Sequence, residues 1–572
     1  MNKNLPYNQK GAIAIVTLMA VSVFALIVMT TVSALAANNH TMTSAAEATE
    51  ATFYAAEAGI NEALYRLIAH PIPPPFTLDI NGIDVEVNIQ ASGHQRTIIS
   101  QATDFTGKVR TLQLSAQSSA FAGGFDYAVQ AGQGGLEMMN KTKIYGDVYA
   151  NGSIFGTNPS APKAAIYGET TVAAGSPLIN GPEQPIMDTS LSVANQADNV
   201  DVAQSFQISN DEPLKKISLN IRRINTLPGD PKLIIANDDG NGSPSDDILI
   251  TKVIPKNSIP TDLNWFDVEF DIGPLLNSGN TYWIILDSVG FDIYNHIIWG
   301  FNSDNNGYAN GQAKKSTYYI TGSWQPINGD FQFKTQIGTG TTFAKNLYVS
   351  GDVYAESIQN CNIENGSGYI SSPEKKPFPL TEQDINDWKA EAEAGGEIPG
   401  GQISTPVTLG PKKINGDLIL TNGANVTLVG NLWVTGDIIF QDPGIPLQLN
   451  SSYGEGSGIL IADGHIDMKN SANISGSGNP KSFTLVISTH NSLNKSNPAI
   501  YARNNLTAAL FYASHGMVIQ YNGTHLNATT GYYVLLEETS EVTYDQNLLG
   551  FFVPSGGSSE EIDPLPDTWQ EL

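Results

Sequence analysis

The chain has 572 residues, and its 29 Lys and Arg against 56 Asp and Glu give a formal net charge of −27. This charge repels nucleic acid phosphates, so the composition argues against a DNA or RNA partner. A chain of this length is expected to divide into several domains. Only 15% of its residues are charged while Gly occurs 54 times, which predicts a mainly β body of short strands joined by tight turns.

A stretch without charged side chains runs from Gly11 to Ala37. About 20 apolar residues in a helix cross a bilayer core, so this stretch is long enough to span one. Lys3 and Lys10 precede it, and the next basic residue is Arg66. The positive-inside rule therefore predicts a short cytoplasmic N-terminus and an extracytoplasmic, membrane-anchored body at the cell surface.

Strong helix formers continue beyond the apolar stretch. Ala and Glu dominate the sequence up to Gly59, so we expect one helix over residues 12–68. Ala34 and Ala36 also form an A-x-A pattern of the kind cleaved after secretory signals. Cleavage near Ala36 therefore stays open beside a retained helix.

The segments "QKGAIAIVTLMAVSVFALIVMTTV" and "ATFYAAEAGINEAL" resemble the N-terminal pattern of PilX-like minor pilins of type IV pili. The match is carried by Gln9, Lys10, Gly11, Ala56, Glu57, Ala58 and Gly59. The resemblance implies prepilin cleavage between Gly11 and Ala12, insertion in the membrane, and packing against pilin-like subunits. The chain departs from major pilins at Ala12 and Val16, where those proteins carry Phe or Met and Glu. Processing after Gly11 and a plain membrane anchor both remain open.

Two residues of the AAEAG element have competing interpretations. Glu57 is either a solvated helix residue or an assembly contact. Gly59 either permits close helix packing or is a tolerated glycine.

A proline-rich stretch, "HPIPPPF", ends the helix, and residues 76–118 then alternate between apolar and polar side chains. Asn81-Gly82 between two such runs predicts a tight hairpin. We expect a small antiparallel meander that packs on the end of the helix, as in a pilin-like head.

A short phrase recurs as "KIYGDVYA", "LYVSGDVYA", "KINGDLIL" and "LWVTGDIIF". Short β-runs that end at Gly-Asp corners predict rungs of a β-helix (solenoid), with Val, Ile and Leu pointing inward. Thr381 followed by Asp384 predicts a capped helix near 382–394, which would cover an open solenoid edge. The last residues are expected to close the rod, with Trp569 on the core.

Residues 186–338 have longer alternating strands rich in aromatic residues. They resemble the jelly-roll-like β-sandwich modules of bacterial surface proteins and carbohydrate-active enzymes. Surface glycans are the partners to test, because exposed aromatic faces stack on sugar rings. The candidate stacking residues are Trp265, Trp283, Trp299 and Trp324. Alternation along a strand predicts that about half of these aromatic residues lie in the core.

The predicted fold is therefore mainly β with a long N-terminal α-helix, in which the solenoid is interrupted by the antiparallel sandwich. Its predicted segments are a helix (1–70), a meander (71–120), the first solenoid rungs (121–185), the sandwich (186–338), further solenoid rungs (339–555) and a C-terminal tail (556–572).

Candidate metal and catalytic residues are few. Asp238, Asp239, Asp246 and Asp247 could bind calcium, although their order lacks the EF-hand pattern and also suits a polar hairpin loop. Cys361 is the sole cysteine, which excludes an internal disulfide and a multi-cysteine zinc site, and the eight histidines form no HxH or HxxxH pair. No cofactor is predicted.

Three functions compete at this point. The first is a non-catalytic structural or adhesive protein, acting as a minor pilin or tip component. The second is a membrane-anchored glycan-binding protein. The third is a β-helix polysaccharide hydrolase or lyase, with Asp417, Asp463 and Asp467 as candidate acids on neighbouring rungs.

Overall fold

The fold is mainly β, with 48% strand, 14% helix, one long N-terminal helix and several sheets. It is seen in a computed structural model that describes residues 9–69, 73–122, 124–139, 141–160, 162–193, 201–287, 291–304, 307–317, 323–468, 472–554, 562–565 and 568–572. The chain forms two compact units, one of Met1–Ala122 with Gly557–Leu572 and the other of Gly123–Gly556.

The first unit begins with helix α1, Gln9–Ala69, which agrees with the expected helix over 12–68. It is followed by strands β1 (Phe76–Ile80), β2 (Ile83–Thr103) and β3 (Val109–Ala122). These strands pair antiparallel in chain order. The predicted hairpin is confirmed, because Asn81 (φ 56°) and Gly82 (φ 80°) lie between the paired residues Ile80 and Ile83.

The core of this unit lies between the second half of α1 and the sheet. Its helix side is built mostly from small residues, which let the helix approach the strands closely. The buried members are Ala55, Ala56, Ile60, Ala63, Leu67, Ile83, Val85, Val87, Ile89, Ile98, Ala102, Leu112 and Leu114.

The second unit begins with short strands, enters an antiparallel region, and then returns to short strands. The first group is β4 (Val129–Met138), β5 (Lys143–Tyr145), β6 (Val148–Ala150), β7 (Ile154–Gly156), β8 (Ala164–Tyr167) and β9 (Thr170–Val172). The antiparallel group is β10 (Ile179–Gln184), β11 (Thr189–Val193), β12 (Asp201–Gln207), β13 (Glu212–Arg223), β14 (Lys232–Asp238), β15 (Pro244–Val253), β16 (Asn264–Glu269), β17 (Leu275–Leu276), β18 (Thr281–Asp287), β19 (Ile297–Asn302), β20 (Ala313–Ser316), β21 (Gln325–Ile327), β22 (Asp330–Phe331) and β23 (Phe333–Ile337). The returning group is β24 (Ala344–Lys345), β25 (Leu347–Val349), β26 (Val353–Ala355), β27 (Ile358–Gln359), β28 (Asn362–Ile363) and β29 (Gly368–Ile370).

A helix, α2 (Glu382–Ala394), separates these strands from the last group. That group is β30 (Glu397–Ile403), β31 (Pro406–Leu409), β32 (Lys412–Leu420), β33 (Asn425–Leu428), β34 (Leu432–Val434), β35 (Ile438–Phe440), β36 (Pro446–Leu449), β37 (Gly458–Ala462), β38 (Ile466–Met468), β39 (Asn473–Ser475), β40 (Thr484–Ser488), β41 (Ile500–Arg503), β42 (Thr507–Tyr521), β43 (His525–Glu537), β44 (Glu541–Thr543) and β45 (Phe552–Val553). Short 3₁₀ turns lie at Lys256–Ser258, Ser451–Tyr453 and Gln546–Gly550.

Strands β4–β9 and β24–β44 pair in parallel with strands of neighbouring turns of the chain, and we call this set the parallel stack. Strand β32, for example, pairs with β30 on one side and with β34 and β35 on the other. The stack is not built in chain order. Strands β43 and β44 pair with β4 and β5, while β7, β8 and β9 pair with β24, β25 and β26. Residues 129–172 therefore lie inside the stack, between the turns at 344–355 and those at 525–543.

Residues 179–337 form two antiparallel sheets that share one hydrophobic core. One sheet has the order β10-β23-β13-β19-β11, and the other has the order β15-β14-β18-β12-β20-β21. The core includes Ile217 and Trp299 from the first sheet with Phe206 and Leu233 from the second. The antiparallel region begins at Ile179, several residues before the expected boundary at 186, because β10 pairs with β23.

This antiparallel region is fixed to the side of the parallel stack. Tyr532 donates a hydrogen bond through its hydroxyl to the carbonyl of Gly273 at 2.9 Å, and the Leu493 amide donates to the Leu249 carbonyl at 2.9 Å. A buried apolar cluster around these contacts includes Met517, Tyr532 and Leu493. Apolar burial and hydrogen bonds therefore both hold the two parts of this unit together.

Helix α2 agrees with the helix expected near 382–394, and its predicted capping box is present. The Asp384 amide donates to Thr381 Oγ1 at 3.2 Å, and the Thr381 amide donates to Asp384 Oδ2 at 2.7 Å. Ile385 and Trp388 are buried against the stack. The expectation that α2 covers an open edge is wrong: it contacts β32 and β34, which are paired on both sides.

The C-terminal residues also differ from expectation. Strands β46 (Ile562–Pro564) and β47 (Gln570–Glu571) pair antiparallel with β3 in the first unit, so they do not close the stack. The edge of β3 offers backbone groups that these short strands satisfy. We expected Trp569 to pack on the core, but its side chain is 45% exposed.

Candidate functional site

The first half of α1 is an exposed, mostly apolar surface. Every side chain from Ile15 to Thr43 is exposed. An 18-residue window of the helix has a mean hydropathy of 2.5, so α1 is long and apolar enough to cross a membrane. A soluble protein rarely leaves such a surface uncovered.

Three hydroxyl groups within this apolar half are bonded inside the helix. Ser22, Thr30 and Thr31 each donate to the carbonyl four residues earlier, at 2.8–2.9 Å. An unbonded hydroxyl in hydrocarbon costs several kcal/mol, about 4–8 by transfer to cyclohexane, so these contacts make the segment compatible with lipid. Hydropathy alone does not reveal this feature, although a hydroxyl residue inside an apolar helix indicates it.

The second half of α1 is packed against the sheet at the AAEAG element. Ala56 and Gly59 are buried, whereas Glu57 and Ala58 are partly exposed. A Cβ added at Gly59 would lie 2.2 Å from Ser100 Oγ. Close helix packing is therefore the interpretation of Gly59 that the contacts favour. Glu57 lies on the side of the helix that remains open to a further contact.

The possible cleavage site has a more limited description. Gly11 and Ala12 lie within α1, and the surroundings of their side chains fall outside the described part of the chain. Cleavage between Gly11 and Ala12 would remove the first residues of α1, Gln9, Lys10 and Gly11.

Two of the four candidate glycan-stacking tryptophans are core residues. Trp283 and Trp299 are 1% and 0% exposed, so no sugar can reach their faces. Trp299 stacks on Phe331 with ring centroids 4.5 Å apart and donates to the Gln332 carbonyl at 2.7 Å. Trp283 donates to Asp238 at 2.9 Å. This part of the expectation is wrong because Trp299 is buried between the sheets and Trp283 is buried in a second cluster with Ile234 and Ile285.

The other two candidates do not lie on one surface. Trp265 is on β16, and the Lys334 ammonium lies 4.3 Å from its ring centroid. Trp324 packs against a cluster of the other sheet that includes Ile234 and Trp283. These tryptophans therefore provide no common stacking platform.

The aspartates of the loop at 237–247 hold that loop together. Asp238 and Asp239 each accept two backbone N–H groups of the same turn, at 2.7–3.1 Å. Asp247 accepts from Asn237 Nδ2 at 2.7 Å, and Asp246 is exposed. Within the described ranges no group of three or more His, Cys, Asp or Glu side chains is placed to bind a metal. The contacts favour the polar hairpin interpretation over calcium binding.

The aspartates of the repeated Gly-Asp corners share one kind of contact. Each aspartate accepts the backbone N–H of a residue in the next turn of the stack, at 2.7–2.9 Å. The pairs are Asp147 with Glu169, Asp352 with Ser367, Asp417 with Asp437, and Asp437 with His465. These carboxylates therefore couple successive turns of the parallel stack.

The remaining candidate acids for hydrolysis also have structural partners. Asp463 accepts the indole N–H of Trp433 at 2.9 Å and pairs with Lys389 at 2.6 Å. Asp467 accepts both its bonds from one guanidinium nitrogen of Arg503, at 2.6 and 2.8 Å. Each candidate acid thus contributes to the stability of the stack, which weakens the case for an acid–base pair on neighbouring turns.

Cys361 is half-buried, and its thiol donates to the Gln359 carbonyl at 3.5 Å. Burial raises the pKa of the Cys361 thiol, so it stays protonated near neutral pH and is a poor nucleophile.

Comparison with known proteins gives no relative: no protein-family model, curated protein or solved structure matches this chain.

Proposed function

We propose that the chain is a non-catalytic structural protein of the cell surface, held in the membrane or in a filament by the first half of α1. One observation carries the proposal. Within a single helix, side chains from Ile15 to Thr43 are exposed and mostly apolar, whereas one face from Ala55 to Leu67 packs on a sheet, mostly through small residues. Such a helix needs lipid or sister helices around its first half.

We further propose that the first unit is a pilin-like head and that the chain acts as a minor pilin or tip component. The N-terminal resemblance at Gln9, Lys10 and Gly11 supports this, together with the helix-plus-meander arrangement and the packed Gly59. Partly exposed Glu57 is then available for a neighbouring subunit. Adhesion or a spacing role follows from the large β body.

The second unit is proposed to be a β-solenoid interrupted by a jelly-roll-like β-sandwich. Parallel pairing of successive turns and inward apolar side chains support the solenoid. Two antiparallel sheets around one core support the sandwich. Cross-turn aspartate contacts suit a body whose role is mechanical.

N-terminal sequencing of the protein recovered from envelope and fibre fractions tests the proposal. A start at Ala12 supports prepilin processing and filament entry, and a start at Met1 supports a simple anchor. Recovery only as soluble protein that starts at Ala37 or Asn38 would contradict both.

A matched pair of variants sharpens this experiment. Gly11→Val blocks cleavage at that bond, so the Ala12 start should disappear. Ala14→Val enlarges a side chain beyond the bond by a similar volume and should leave the start unchanged. An Ala12 start that survives Gly11→Val would point to a different protease.

A further inference from the structure

The turn between β2 and β3, Asp104–Lys108, presents an apolar side chain to solvent. Phe105 is 87% exposed, more than any other large apolar side chain in the described ranges. The turn is well defined, because Asp104 Oδ1 accepts the amides of Thr106 at 2.8 Å and Lys108 at 2.9 Å and the Thr106 hydroxyl at 2.6 Å. We call it the Phe105 turn.

The Phe105 turn points toward the first half of α1. Farther along β3, Leu112 pairs with Ser100, which touches α1 at Gly59. Nearer to the turn, Lys108 and Arg110 line an open groove with side chains of α1, namely Met42, Thr49, Glu50, Phe53 and Tyr54. Positions closer to the turn therefore lie beside earlier residues of α1.

The distance along α1 brings this turn near the bilayer surface. The groove reaches Met42, which is about 8 Å beyond Ala37 along a helix with a rise of about 1.5 Å per residue. A headgroup layer adds about 5–8 Å outside the hydrocarbon core on each side. Phe105 lies beyond Lys108 in the same direction, so it lies at about the level of the headgroups if the uncharged stretch fills the core.

The chemistry at the turn fits a lipid surface. The turn carries one cation, Lys108, beside one carboxylate, Asp104, and Arg110 is neutralised by an ion pair with Glu571, so the turn has no net negative charge in a chain of net charge −27. An aromatic side chain with an adjacent cation is the combination that favours the interface of anionic membranes.

We propose that the Phe105 turn is a second membrane contact, with Phe105 among the lipid headgroups and Lys108 at their phosphates. This inference rests on the proposed membrane insertion of α1. A single spanning helix lets the attached head tilt against the bilayer surface. The turn limits that tilt and holds the turn end of the sheet toward the membrane.

The test uses the full chain in vesicles of phosphatidylcholine and phosphatidylglycerol. Cys361→Ser removes the sole cysteine, and Val109→Cys, beside the turn, receives an environment-sensitive dye. Lipids brominated near the headgroup should quench this dye. Phe105→Ser in the same background should reduce the quenching several-fold, and at 87% exposure this change leaves the fold intact.

Gln95→Cys is the control position. It is exposed and lies about 26 Å from the turn end of β2 at about 3.3 Å per residue, so its dye should stay unquenched. Flotation of the same samples reports α1 insertion independently. A chain that floats while the dyes at 109 and 95 behave alike overturns the turn contact and leaves the anchor standing. A change in the emission of the dye at 109 that appears only when the vesicles are crowded with protein, without quenching by the brominated lipids, would assign the turn to a second copy of the chain, which also overturns the proposal.

Discussion

Gly59 shows how one residue sets the contact between α1 and its sheet. A side chain there would meet Ser100 at 2.2 Å and Val85 at 2.8 Å, and both neighbours lie in strand β2. The helix can therefore lie directly on the strands only because position 59 has no Cβ. Sequence reasoning left this residue between two interpretations, because a glycine in a helix does not reveal what approaches it.

Gly59→Val should destabilise the first unit. Overpacking at a filled contact costs about 1–3 kcal/mol, and the neighbouring Val85 has little room to move. Amide hydrogen exchange of β2 would measure the change. Ala51→Val, on the exposed side of the same helix, is the matched control, and equal effects of the two variants would refute the packing role of Gly59.

Aspartates at the Gly-Asp corners act between turns of the stack. Asp417 accepts the Asp437 amide at 2.9 Å, across 20 residues of sequence. The repeated phrase predicted a corner. It did not predict which amide each carboxylate binds, because the length of each turn varies.

Asp417→Ala should release the Asp437 amide. A charged hydrogen bond contributes about 1.5–3 kcal/mol, so exchange of that amide should accelerate by about tenfold or more. The exchange rate of the single Asp437 N–H is the measurement. Asp262→Ala removes an exposed carboxylate elsewhere in the same unit and should leave that rate unchanged. An unchanged rate in Asp417→Ala would show that the backbone alone holds the corner.

At the scale of the elements, the sequence patterns did not predict how the turns of the parallel stack are connected. A segment over residues 371–381 runs along the stack, and Gln130, Asn151 and Tyr512 donate to its backbone carbonyls at 2.7–2.8 Å. This segment links the turns at 344–370 to those that begin at Glu397. The repeats predicted the turns themselves. They did not predict the order of the turns in the parallel stack, because a Gly-Asp corner does not specify which turn lies beside it.

Glu356 clamps the two connections between the stack and the antiparallel region. Its Oε2 accepts the amides of Gly175 at 3.0 Å and Thr342 at 2.9 Å. These backbone hydrogen bonds hold the pKa of the Glu356 carboxyl below its ordinary value. A lowered pKa in the folded state means stabilisation that is present above the unfolded pKa, about 4.3, and lost as the pH falls through the lowered value.

Glu356→Gln should therefore reduce the loss of stability that the second unit undergoes as the pH falls. The variant is expected to be less stable than the parent near neutral pH, and the difference should shrink as the pH falls below about 4. Urea unfolding midpoints across this range measure it. Glu269→Gln, at an exposed carboxylate, should keep the parent profile. If Glu356→Gln showed the same dependence of the urea midpoint on pH as the parent, ionisation of Glu356 would not contribute to the pH dependence of stability.

At the scale of the whole chain, the two units have separate cores and different origins of stability. The first combines α1, the meander and the strands β46 and β47 from residues 557–572. Its helix and hairpin followed from apolar runs and the Asn81-Gly82 turn. Strands β46 and β47 could not be predicted, because strands of two or three residues carry no periodic signal.

The proposed function requires that the first half of α1 lies in lipid or among sister helices. Flotation of the full chain with vesicles, followed by extraction at alkaline pH, measures this most directly. The parent should float and resist extraction, whereas Val23→Arg with Leu26→Arg should stay soluble, because each Arg near a helix centre costs about 2.5–3.5 kcal/mol. Ala51→Arg with Tyr65→Arg, on the exposed side of the second half, should float like the parent. A parent chain that stays in the soluble fraction, or a Val23/Leu26 variant that floats equally well, would contradict the account.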